Sequence, residues 1–120
     1  MTTDQDITHV KVQTLELIVA RRQVWPRMAK KYGVNNPLPP WKSSLDGMCD
    51  ALDREGTVLP LLARRHDEDR LSQETYRTLP FPESQLVALA HSLIARKVIA
   101  EATLAERMKM VRARLEADNV

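Results

Sequence analysis

Arginines and carboxylates crowd one short segment of this chain, from Arg64 to Arg70, and their chemistry is open to two interpretations. Asp69 lies four residues after Arg65, which is the spacing of an ion pair on one helix face. The segment is therefore either a solvated ladder of surface salt bridges, which contributes little to stability, or part of an interface. In an interface, the planar fork of an arginine can bind a pair of anionic oxygens.

The side chains that most often act as nucleophiles or metal ligands are few and scattered. His9, His66 and His91 lie in different predicted helices, and Cys49 is the single cysteine. No pair of them has the spacing of a zinc site, so we predict that this chain itself binds neither metal nor cofactor. Cys49 falls on the apolar face of a predicted helix, which favours a buried, inert thiol. His91 lies within an apolar helix and is interpreted as a satisfied or partly exposed histidine rather than a metal ligand.

A cluster of cations with interleaved aromatic residues occupies residues 21–32. It consists of Arg21, Arg22, Arg27, Lys30 and Lys31, with Trp25 and Tyr32 among them. Such a cluster can contact a phosphate backbone. We favour ordinary helix solubility, because 18 Lys and Arg against 16 Asp and Glu leave a net charge of only +2. We therefore predict no nucleic-acid partner.

The length and composition limit the class of protein. One hundred and twenty residues form about one domain with a modest core. Three glycines and a 4% aromatic content disfavour a β-sandwich or a glycine-rich nucleotide loop. No apolar run approaches the ~20 residues of a membrane span, and no N-terminal segment has the pattern of a secretory signal. With one cysteine, we expect a soluble, cytoplasmic protein with no membrane partner.

The apolar spacing predicts an all-α fold: a small irregular bundle of about five helices with proline-rich extended connectors and a C-terminal helical hairpin. The first helix is predicted from about Ile7 to Trp25. Pro26 either kinks it or begins a second short helix that Gly33 ends. We assign residues 1–40 to an N-terminal helix and proline-rich arm that wraps around a partner, and residues 41–120 to the main helical domain.

Further helices follow the proline-rich arm. The next one is predicted to stop at Gly56, and two more are predicted over about residues 58–71 and 82–97. The apolar face of the first of these three helices consists of Trp41, Leu45, Met48, Cys49 and Leu52.

The last predicted helix has a recognisable start. Thr103 and Glu106 have the spacing of a capping box, so the helix is predicted to begin at Thr103. Its narrow apolar seam is predicted to pack against the preceding helix as a hairpin. The seam consists of Leu104, Met108, Val111 and Leu115.

The chain from about residue 41 to residue 116 resembles the helical part of the β subunits of nitrile hydratases. It is still more similar to the β subunit of three-subunit thiocyanate hydrolases. The family pattern is a tryptophan-led helix, then an arginine on a following helix, then a tyrosine, a proline and a closing helix pair. The first four of these correspond here to Trp41, Arg65, Tyr76 and Pro80. After the proline, nitrile hydratases have two aromatic residues and a tryptophan, whereas this chain has Phe81, Pro82 and Gln85.

The resemblance implies a non-metal, β-type subunit of a hetero-oligomeric lyase or hydrolase that hydrates a carbon–nitrogen triple bond. In this family a cobalt(III) or iron(III) ion is held by clustered, partly oxidised cysteines of another subunit. Arg65 takes the place of the arginine that hydrogen-bonds the oxidised sulfurs, with Arg64 as the fallback and Tyr76 as a further lining candidate. The implied partners are a metal-bearing α-type subunit and a separate β-barrel subunit, because the family's barrel is missing from this sequence.

Two other functions stay open. Small helical proteins similar to the same region are activators, or metallochaperones, that deliver cobalt or iron to the metal-bearing subunit and then dissociate. The presence of Arg65, Tyr76 and Pro80 together favours a permanent subunit. A plain helical interaction or nucleic-acid module is the third possibility, if the resemblance is accidental.

Overall fold

A computed structural model describes residues 7–54 and 61–118, which form an all-helical bundle, as predicted. A 3-10 turn precedes the first helix and a π-helical turn follows the fourth. In chain order the elements are the 3-10 turn Ile7–His9, α1 Gln13–Arg21, α2 Trp25–Tyr32, α3 Lys42–Arg54, α4 Leu61–Arg70, the π turn Leu71–Thr75, α5 Glu83–Ala95 and α6 Glu101–Asp118. Within these ranges, no helix combines the length and the apolar character that a membrane crossing requires.

The N-terminal region forms two helices and a short turn, so the single helix predicted from Ile7 to Trp25 is wrong. Arg22 adopts a left-handed conformation with φ 54°. Its N–H donates to the carbonyl of Val19 at 3.1 Å, which turns the chain away from the α1 axis. Pro26 occupies the first turn of α2, where its missing N–H costs nothing. Of the two possibilities for Pro26, the start of a second short helix is confirmed.

The end of α2 follows from the conformational freedom of glycine. Gly33 has φ 69° and its N–H donates back into the last turn of α2. A left-handed residue at this position is the common way to end a helix, and glycine adopts it without steric cost. The predicted stop at Gly33 is confirmed.

α5 is the centre of the bundle, because its side chains enter two apolar clusters on different sides. The first cluster joins α5 to α1 and the π turn and contains Val12, Leu15, Leu71, Tyr76, Val87 and Ala88. The second joins α5 to α3 and contains Leu45, Leu89 and Leu93, with Trp41, Cys49, Leu52 and Ile99 packed against it. Burial of this apolar surface is the main force that holds the helices together.

α3 presents most of its predicted apolar face to the second cluster. Met48 is the exception, because 48% of its surface is exposed. Met48 stands at one edge of the apolar stripe, and this edge does not pack against the second cluster. The helix stop predicted at Gly56 and the helix start predicted near Val58 lie outside the described residues.

α6 begins at Glu101, so the capping box predicted at Thr103 is wrong. The N–H of Leu104 already donates to the carbonyl of Ala100 at 3.1 Å, which places Thr103 inside the first turn. The carboxylate of Glu101 accepts the backbone N–H of Thr14 at 2.9 Å. The Glu101 side chain at the start of α6 therefore satisfies a free N–H in the first turn of α1.

The apolar seam of α6 is buried only at its beginning. Leu104 packs against the first cluster. Met108, Val111 and Leu115 are 38%, 39% and 58% exposed. The predicted packing of the seam against the preceding helix is thus limited to the first turn of α6.

A buried tyrosine–histidine pair joins α5 to the N-terminal turn. His91 is 1% exposed. Its Nε2 lies 2.8 Å from the carbonyl oxygen of Ile7, and its Nδ1 lies 2.7 Å from the hydroxyl of Tyr76. Because a carbonyl only accepts, Nε2 donates to it and Nδ1 accepts from the tyrosine hydroxyl. The interpretation of His91 as a satisfied histidine is confirmed.

This pair predicts a pH-dependent stability. Burial lowers the pKa of His91 below its ordinary 6.5. The unfolded chain therefore binds a proton that the folded chain does not, and the free energy of unfolding falls as the pH drops below about 6.5. The slope contributed by His91 is at most about 1.4 kcal/mol per pH unit. Urea denaturation at a series of pH values measures it.

His91→Gln is the test variant, because glutamine can donate to the Ile7 carbonyl and accept from Tyr76. We expect it to flatten the pH dependence, and we expect the matched control His66→Gln, at an exposed position, to keep it. Equal slopes in the wild type and in His91→Gln would show that His91 is not the responsible group.

Candidate functional site

The Arg64–Arg65 pair lies beside an open groove of about 640 Å³ between α3, α4 and α5. We call it the Arg65 groove. Its wall carries four carboxylates, two guanidiniums and the single cysteine. The lining residues are Asp46, Cys49, Asp50, Arg64, Arg65, Glu68, Asp69, Ser72, Phe81, Gln85 and Ala88.

Arg64 is buried, and both of its terminal nitrogens bind carboxylates of this chain. Its side chain is 1% exposed. One terminal nitrogen donates to both carboxylate oxygens of Glu68, at 2.9 and 3.0 Å, and the other donates to Asp53 of α3. The Nε of Arg64 is buried and has no hydrogen-bond partner. Arg64 therefore joins α3 to α4 and has no free fork to offer to another molecule.

Arg65 is the outward-facing member of the pair, with 60% of its side chain exposed. One terminal nitrogen donates to the second carboxylate oxygen of Asp53, not to Asp69 as the ladder interpretation predicts. The hydrogen bond from Arg65 lowers the pKa of Asp53, and the pKa of Arg65 is raised in return. Asp53 thus accepts from both arginines and holds the guanidinium of Arg65 at the rim, with most of its five N–H donors unused.

The acidic side chains determine how an anion can approach Arg65. Lys42 pairs with Asp46 and also lies over the ring of Phe81, 5.2 Å from its centroid. Arg64 is paired with Glu68 inside the groove. Because carboxylates outnumber guanidiniums along the wall, an anionic group is favoured only at the outer rim, at Arg65 itself.

Burial inside the groove raises the pKa values of Cys49 and Glu68. Cys49 is half-buried, and burial, with the charge of Glu68 next in importance, raises the pKa of its thiol. Burial also raises the pKa of Glu68, against the opposing effect of Arg64. A thiol with a raised pKa is a poor nucleophile at neutral pH. This favours a structural role for Cys49 over covalent catalysis.

Tyr76 lies apart from the Arg65 groove. It is 4% exposed, and its hydroxyl is occupied by His91 in the first apolar cluster. Burial raises the pKa of Tyr76 to about 12. The structure therefore brings Arg64 and Arg65 together but leaves Tyr76 in the core, where it supports the turn after α4.

The basic cluster forms a second, shallower hollow of about 560 Å³ on α1 and α2. Arg21, Arg27, Lys30 and Lys31 line it and are exposed. Lys31 lies 5.6 Å from the ring centroid of Tyr32, which is also exposed. These observations fit the solvated helix surface that the charge balance favours.

Metal-ligating side chains do not converge in the described part of the chain. Over residues 7–54 and 61–118, no group of three or more His, Cys, Asp or Glu side chains is placed to hold a metal ion. No protein-family model, curated protein or solved structure matches this chain.

Sequence reasoning missed the two acceptors of the arginine pair, Glu68 and Asp53. Glu68 stands four residues after Arg64, so its pairing was available from the same spacing rule that we applied to Arg65. Asp53 is on another helix, and no local pattern links it to the arginines. Only the tertiary fold, which brings Asp53 of α3 beside the two arginines of α4, makes Asp53 the shared acceptor.

Proposed function

We propose that this chain is the non-metal, β-type subunit of a hetero-oligomeric enzyme that hydrates a carbon–nitrogen triple bond, as in nitrile hydratases or thiocyanate hydrolases. A partner subunit would hold the cobalt or iron ion. The proposal starts from the sequence resemblance of residues 41–116. The observation that supports it best is the exposed guanidinium of Arg65, held in place by Asp53 while most of its donors face outward.

The difference in burial between the two arginines favours Arg65 over Arg64 as the residue that reaches the partner. Arg64 is enclosed and paired with two carboxylates. To bind an oxygen on another chain it would have to leave both, which would deprive Glu68 of its ion-pair partner in the groove. Arg65 can do so with no loss of its contact to Asp53.

The proposed role of Arg65 is to position groups on the partner subunit. The partner's metal would act as a Lewis acid that polarises the nitrile carbon or activates water. Arg65 would donate parallel hydrogen bonds to the oxygens of the oxidised cysteines and fix their orientation. Arginine suits this role because it stays charged and has a rigid, planar fork, which lysine lacks.

Co-expression tests the assembly. The second chain is the product of a neighbouring gene that contains the clustered cysteine motif, with the β-barrel chain added if a separate gene encodes it. We expect this chain to co-elute with its partners in size-exclusion chromatography and hydration activity to appear only in the complex. A stable monomer that does not co-elute with these chains would contradict the proposal.

The same experiment separates a permanent subunit from an activator. A subunit stays bound after the metal has been loaded and is needed in every assay. An activator leaves the complex on metal loading, and the remaining chains are active without it. A neighbouring gene for a complete second β subunit would also favour the activator.

A further inference from the structure

Among residues 7–54 and 61–118, α6 is anchored at its first turn alone, and the rest of the helix extends from the bundle without a partner. Leu104 packs on the core and Glu101 binds the backbone of α1. From residue 105 to residue 117, every side chain is exposed. The helix has 18 residues and is about 27 Å long at the usual rise per residue. Most of that length is therefore free surface.

The exposed part of α6 carries the apolar spacing of a coiled coil. Successive seam residues are separated by four, three and four positions, the alternation that places them on one line facing a second helix. The seam consists of Leu104, Met108, Val111 and Leu115. A seam of this width is narrower than the face that a helix buries in a globular core or in a membrane surface. The geometry fits another helix better than a lipid surface.

The charges beside the seam have one sign. Arg107 and Arg114 flank it on one side and Arg112 on the other, whereas Glu106 and Glu116 fall at outer positions of the heptad. Arg112 pairs with Glu116 within the helix at 3.4 Å, but both side chains are more than half exposed. Such a pair contributes little, so it does not hold Arg112 away from a partner.

These charges argue against a second copy of α6 as the occupant. In a parallel pair, Arg107 of one copy faces Arg112 of the other. In an antiparallel pair, Arg107 and Arg114 face each other across the seam. Like charges are brought together in both orientations, which is how coiled coils reject a wrong partner.

We propose that α6 binds an amphipathic helix of a partner protein whose apolar seam is flanked by glutamate or aspartate. The acidic flanks pair with Arg107, Arg112 and Arg114, and the seams bury Met108, Val111 and Leu115. This surface does not include the Arg65 groove, so the inference is independent of the proposed function.

Two synthetic helical peptides test the inference. Each has about four heptads with the same leucine and isoleucine seam, and they differ only in flanks that are all glutamate or all lysine. Because the flanks of each peptide carry charges of one sign, repulsion keeps each peptide from pairing with itself. By fluorescence anisotropy, we expect the wild-type chain to bind the glutamate peptide at least about tenfold more tightly than the lysine peptide.

Charge reversal provides the matched variants. Arg107→Glu with Arg112→Glu and Arg114→Glu is expected to reverse the preference toward the lysine peptide. The same change of charge made at Arg21, Arg22 and Arg27 should leave it unchanged. Val111→Glu should weaken binding of both peptides, with circular dichroism showing that the bundle is still folded. Arg65→Lys should not alter peptide binding, which separates this inference from the proposed function.

Three results would overturn the inference. The first is equal binding of both peptides, or binding of neither. The second is a dimer of this chain in sedimentation that Val111→Glu dissociates, because it would make a second copy the occupant. The third is co-sedimentation with phosphatidylserine vesicles that the α6 charge reversal abolishes while neither peptide binds, which would make α6 a membrane-surface helix.

Discussion

Replacing Arg65 with lysine is expected to lower the turnover of the assembled, metal-loaded enzyme by about 10- to 100-fold, the usual cost of losing a hydrogen-bonding partner of metal ligands. Lysine keeps the positive charge, but it cannot donate two parallel hydrogen bonds to a pair of oxygens. The effect should come from the geometry of the donors and not from the charge. Turnover and metal content of the purified complex measure it.

The control for this variant is Arg77→Lys, which makes the same substitution at an exposed arginine in the turn after Tyr76. It should leave turnover unchanged. Both complexes must contain equal metal and elute as the same assembly, so that a defect in the Arg65→Lys complex reports on positioning. Full turnover of that complex with its metal loaded would refute the role assigned to Arg65.

Replacing Arg64 with methionine is expected to destabilise the isolated chain by about 3 kcal/mol, the range found when one partner of a buried ion pair is removed. The guanidinium is 1% exposed and binds Asp53 and Glu68. Without it, Glu68 loses its ion-pair partner in the Arg65 groove, while Asp53 keeps only its contact to the exposed Arg65. The free energy of unfolding from urea denaturation at neutral pH measures the loss.

A rescue variant separates the contribution of charge to this loss of stability from the contribution of packing. Arg64→Met combined with Glu68→Gln removes the stranded charge, keeps the Asp53–Arg65 ion pair and retains an apolar side chain of similar length at position 64. We expect this combination to recover about 1–2 kcal/mol of the loss, as when buried ion pairs are replaced as a unit. If Arg64→Met alone is within about 0.5 kcal/mol of the wild type, as surface substitutions are, then Arg64 does not organise this contact.

Local sequence signals were reliable where a helix boundary depends on one residue. Gly33 ends α2 and Pro26 lies in its first turn because their backbone properties act without help from the rest of the chain. The boundary at Thr103 was wrong for the opposite reason. α6 begins before Thr103, and its Glu101 side chain accepts from the backbone of Thr14 in α1, a contact that no pattern near Thr103 contains.

The same distinction between local sequence signals and tertiary contacts applies to the candidate site. Sequence alone identified the arginine pair and the spacing that places it on a helix, and the apolar periodicity alone established the all-α class. The tertiary structure decided which arginine is buried and which is exposed, because Asp53 approaches from α3 and pairs with both. It also decided that Tyr76 belongs to the core and that α6 leaves its seam uncovered. Periodicity reports which face of a helix is apolar, but only the packing of the other helices determines whether that face is buried.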